Sequence, residues 1–203
     1  MLSEKHWDPD LIPIEMLEDG TAIRRRLDLC EQTVVHLAAA NGKPRILTKL
    51  LDVPGADVNC GQESSRLTPL SFACGARSYE ERDMKKDEEG YLPGSLECAT
   101  ILLDRGADPN AMYHGSCIGA QYYGFPLRFA CYAGDRNIEV IRLLLSRGAK
   151  IPANLPDGGR HTGNGYEVFT DPQGSAHPLT ILKNTKNSEL ALKALEEEFA
   201  KGR

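Results

Sequence analysis

The chain has 203 residues, with 24 Lys and Arg against 29 Asp and Glu, a net charge of −5, and 41% hydrophobic residues. That apolar share excludes a chain disordered throughout, and a mildly acidic charge without a long basic stripe is a poor grip for nucleic-acid phosphates. No apolar run approaches the ~20 residues that span a bilayer, and Met1 to Asp8 hold no apolar export signal, so an intracellular protein is expected.

In chain order, Glu15-Met16-Leu17-Glu18 before Gly20 reads as the end of a helix and its stop, and Arg24, Arg25 and Arg26 follow in the next turn. Thr33-Val34-Val35-His36-Leu37-Ala38-Ala39 predicts a short apolar helix. Ile46 to Leu51 has apolar residues three and four apart, the spacing of an amphipathic helix. Gly55-Ala56-Asp57-Val58-Asn59 then supplies a stop and a turn.

The same three signals return. Thr68-Pro69-Leu70-Ser71-Phe72-Ala73-Cys74 is followed by Thr100 to Leu103 and by Gly106-Ala107-Asp108-Pro109-Asn110. Phe125-Pro126-Leu127-Arg128-Phe129-Ala130-Cys131 is followed by Val140 to Leu145 and by Gly148-Ala149-Lys150-Ile151-Pro152. A weaker start at His177 to Leu182 precedes Ser188 to Phe199, predicted as a terminal helix with Ser188 as its cap and an acidic outer face. Thr68 can accept a hydrogen bond as a helix N-cap, and Pro69 then fills the first helical position, where a missing N–H costs nothing. Gly106 stops the second helix in a left-handed conformation. A unit of two short helices and a turn cannot bury its own apolar faces, so it must stack on its neighbours.

These motifs resemble ankyrin repeats, whose unit begins Thr-Pro-Leu-His-x-Ala. The match is most specific where both ends of a unit co-occur: Thr68-Pro69-Leu70 with Gly106 to Asn110, and His36-Leu37-Ala38-Ala39 with Gly55 to Asn59. The resemblance implies an all-α ankyrin-repeat solenoid of stacked helix-turn-helix units with β-hairpin-like fingers. It divides the chain into an N-terminal capping half-repeat (1–32), repeats at 33–67, 68–124 and 125–176, and a degenerate C-terminal capping repeat (177–203). Repeat starts lie 35, 57 and 52 residues apart, so insertions interrupt the pattern. The third unit has Phe125 in place of the capping Thr, and the motif's His survives only as His36.

Nine of the ten residues from 80 to 89 in the first insertion (79–94) are charged, which predicts a solvated, mobile loop. The second insertion, Met112 to Gly124, gathers Tyr113, Tyr122 and Tyr123 in one finger. The resemblance points these rings toward a concave groove shared with Tyr132 and Ala133. Tyrosine contributes large contact area with a polar tip and is enriched at binding hot spots. Arg24, Arg25 and Arg26 fall in the finger of the half-repeat, where guanidinium groups can pair with a partner's carboxylates. The third insertion (152–176) is glycine-rich but lacks the Gly-Lys-Ser/Thr ending of a phosphate loop, so a connecting loop is expected.

The six cysteines, Cys30, Cys60, Cys74, Cys98, Cys117 and Cys131, have no Cys-x-x-Cys spacing, which leaves no zinc signature and predicts reduced, packed thiols. No hydrolase, metalloprotease or paired-carboxylate motif appears, and His114 with Cys117 is the one close His/Cys pair. The expectation is a non-catalytic adaptor, scaffold or regulatory subunit in the cytoplasm or nucleus. It would bind another protein and use no cofactor or metal. A nuclear transcription-regulatory protein and an enzyme or accessory biosynthetic protein are the alternatives. The resemblance further implies Asn59 and Asn110 as hydroxylation targets.

Overall fold

Short helices form in pairs because each apolar run is bracketed by its own start and stop. The structure, a computed structural model, describes residues 33–61, 67–76, 94–117, 120–151 and 177–201, together with the strand positions 86–87 and 90–91. Residues 1–32, most of 79–94 and all of 152–176 lie outside the described residues, and with them Arg24, Arg25 and Arg26. The helices are α1 (Val34–Ala40), α2 (Pro44–Leu51), α3 (Pro69–Ala73), α4 (Leu96–Asp104), α5 (Pro126–Cys131), α6 (Ile138–Ser146), α7 (Pro178–Asn184) and α8 (Glu189–Lys201). Two antiparallel ribbons interrupt them: β1 (Lys86–Asp87) with β2 (Gly90–Tyr91), and β3 (Tyr113–Cys117) with β4 (Ala120–Gly124).

The starts work as their chemistry requires, with variations. Thr68 accepts the Ser71 N–H at 3.4 Å, and Pro69 opens α3. At α1, His36 Nδ1 accepts the Thr33 N–H at 3.0 Å. The proton therefore sits on Nε2, which faces the carbonyl oxygens of Leu67 (3.0 Å) and Cys60 (3.1 Å) and ties the helix to its own finger. Phe125 caps nothing; its side chain is 1% exposed and fills the core instead. His177 Nδ1 accepts the Leu179 N–H at 3.3 Å, and partial burial, aided by Lys183, lowers its pKa. The stops at Gly55, Gly106 and Gly148 have φ of 83°, 88° and 83°. A Cβ on Gly106 would meet nothing within 4 Å, so handedness and not space demands glycine there.

Helices α1, α3, α5 and α7 form one row and α2, α4, α6 and α8 a second, each packed on the next of its row and on its pair partner. The core between the rows is Val35, Leu47, Leu70, Leu102, Leu127, Ile141, Leu144, Leu182 and Leu195, with Ala and Cys where backbones approach. This is the expected all-α repeat solenoid with hairpin fingers.

Polar links set the register between pairs. Asn59 donates to the Gly106 carbonyl (3.2 Å) and accepts the Asp108 N–H (2.9 Å). One step along, Asn110 donates to the Gly148 carbonyl (3.0 Å) and accepts the Lys150 N–H (2.7 Å). Asp57 and Asp108 fold each turn by accepting the N–H two residues on, both at 2.8 Å. Arg105 pairs with Asp52 and Arg147 with Asp104, both at 2.6 Å. These pairs are solvent-exposed, so they specify alignment more than they add stability, each contributing about 0–1 kcal/mol.

Asn137 locks the middle of the stack. Its buried amide donates to the carbonyls of Ala130 (3.1 Å) and Cys74 (3.2 Å), and its Oδ1 accepts the Gly94 N–H (2.8 Å).

Two local expectations are corrected. The charged insertion is not loop throughout: Lys86 pairs with Tyr91 and Asp87 with Gly90 in a short ribbon, because solvated charge does not prevent backbone pairing. Ser188 is not the sole guardian of the last helix. Its hydroxyl donates back to the carbonyls of Leu182 and Thr185, while the third amide of α8, Ala191 N–H, ends on Asp135 Oδ1 at 2.8 Å. A carboxylate from the preceding helix pair does the capping.

Candidate functional site

The finger that gathers the tyrosines is a regular antiparallel ribbon. Tyr113 pairs with Gly124, His114 with Tyr123, Gly115 with Tyr122, Ser116 with Gln121, and Cys117 with Ala120. Strand positions alternate between the two faces of a ribbon. Tyr122 therefore shares a face with Tyr113, and Tyr123 shares the other with His114. His114 and Cys117 stand three positions apart on β3.

Strand β4 runs through Phe125 into α5, whose six residues span about 9 Å. The ribbon thus stands at one end of α5 and Tyr132 caps the other. Tyr132 is partly exposed, and the Arg128 guanidinium lies over its ring, 5.7 Å from the centroid. Such a contact contributes about 0.5–1 kcal/mol at an exposed site, against the entropy of ordering two long side chains. Ala133 is 6% exposed, so it offers little surface of its own. Sequence reading passed over Arg128. The available signal was that it occupies the place where Thr68-Pro69-Leu70 continues with Ser71 and the first unit has His36.

Cys60, Cys74, Cys98 and Cys131 are packing groups. Cys74 and Cys131 are wholly buried, and burial drives both pKa values far up, with Cys131 adding to the effect on Cys74. Burial pushes Cys60 up to about 11 and also raises Cys98. All four are unpaired. At pH 8 only about one Cys60 in a thousand is thiolate, the form that reacts. Iodoacetamide labelling read by mass spectrometry is therefore expected to leave Cys60, Cys74 and Cys131 unmodified over minutes in the folded protein and to modify all three in denaturant. Fast labelling of Cys74 without denaturant would contradict the packing.

Among the described residues no cluster of three or more His, Cys, Asp or Glu side chains is placed to hold a metal ion. None of the described helices is long and apolar enough to cross a membrane.

No family model matches the chain. Two curated proteins are similar to it: human "Ankyrin repeat and SOCS box protein 6", 31% identical over 148 residues, and the Pongo abelii protein of the same name, 30% identical over 148 residues. Each alignment covers 70% of this chain, but the chain spans only 29% of the length of those relatives. The repeated start and stop motifs, the helix pairs stacked through asparagine and Arg–Asp links, and these relatives agree: the chain is an ankyrin-repeat protein.

Proposed function

We propose that the protein is a non-catalytic adaptor, scaffold or regulatory subunit that captures a partner protein on its concave finger-and-groove surface. The observation that carries this reading is the Tyr132–Arg128 pair held at the open end of α5, with the tyrosine-bearing ribbon at the other end. Tyr132 with Tyr122 and Tyr123 forms the main contact, with Tyr113 on the opposite strand of the same ribbon and Ala133 following Tyr132 in the chain. Arg24, Arg25 and Arg26 serve as an electrostatic rim. Arg128 and Tyr132 sit in and at the end of a short helix already fixed by packing, so little backbone entropy is lost there on association. The unpaired thiols support action in a reducing compartment, the cytoplasm or nucleus.

The test is affinity purification with mass spectrometry, comparing wild type with the triple variant Tyr122→Ala, Tyr123→Ala and Tyr132→Ala. The expected result is loss of the enriched partner, at least about 100-fold in affinity if each ring contributes a hot-spot share, with helix content by circular dichroism unchanged. Full retention of the same partner by a folded triple variant would refute the groove assignment.

A further inference from the structure

We draw no further inference here: the strongest candidate, the apolar groove lined by Leu127, Leu145, Ile151, Leu179 and Leu195 between the α5–α6 and α7–α8 pairs, borders residues 152–176, which lie outside the described residues, and nothing in the structure shows what covers it.

Discussion

Asn137→Ala is expected to lower the thermal midpoint by about 10 °C, the consequence of losing roughly 3–5 kcal/mol in a domain of this size. The side chain is 2% exposed and serves three backbone groups from three segments: the Cys74 carbonyl after α3, the Ala130 carbonyl in α5, and the Gly94 N–H ahead of α4. Truncation leaves two acceptors and a donor without a partner at a junction that packing closes to solvent. Each stranded group costs about 1–3 kcal/mol. Stacked repeats need not unfold in one step, so the loss should appear first at the joint between the second and third pairs. Differential scanning calorimetry gives the midpoint, and exchange at α3 and α5 gives the location. A midpoint within about 2 °C of wild type would show that water or rearrangement satisfies these groups at little cost. Because Ala130 lies on the helix that carries Arg128 and Tyr132, the same variant is expected to weaken partner capture without touching the contact surface.

Gly94→Ala should be comparably harmful for a steric reason. A Cβ at residue 94 would lie 2.2 Å from the Ala73 carbonyl oxygen and under 3 Å from the Cys74 backbone. That approach exists because Ser95 N–H donates to the same Ala73 carbonyl at 2.7 Å, drawing the start of α4 onto the end of α3. The neighbouring atoms are backbone, so relief requires moving one helix against the other, at a cost of about 3 kcal/mol. Since Gly94 N–H ends on Asn137, the two substitutions damage one junction. The double variant is expected to lose less than the sum of the singles by about 1 kcal/mol or more. Chemical denaturation of the four proteins of that cycle supplies the number, and strict additivity would mean that the two sites are independent.

Much of the fold was legible because ankyrin-type units write their starts and stops into short, repeated segments. Thr68-Pro69, the glycines at 55, 106 and 148, and the Asp-x-Asn turns each act within a few residues, and each behaves in the structure as its local chemistry dictates. The proposed contact surface was legible only in part. Clustering of tyrosines in the second finger could be read from order along the chain. The pairing of Arg128 with Tyr132 depends on side-chain direction, and the burial of Ala133 on what packs over it.

What the sequence determined alone, then, is the unit: where helices begin, where they stop, and that they must stack. Tertiary structure decided how units join. Asn59 and Asn110 became links between neighbours, Asn137 a three-way lock, and Asp135 the cap of a helix more than fifty residues away. Those roles use hydrogen bonds whose partners lie in other repeats, and a partner's position across a joint is set by packing that no local pattern records.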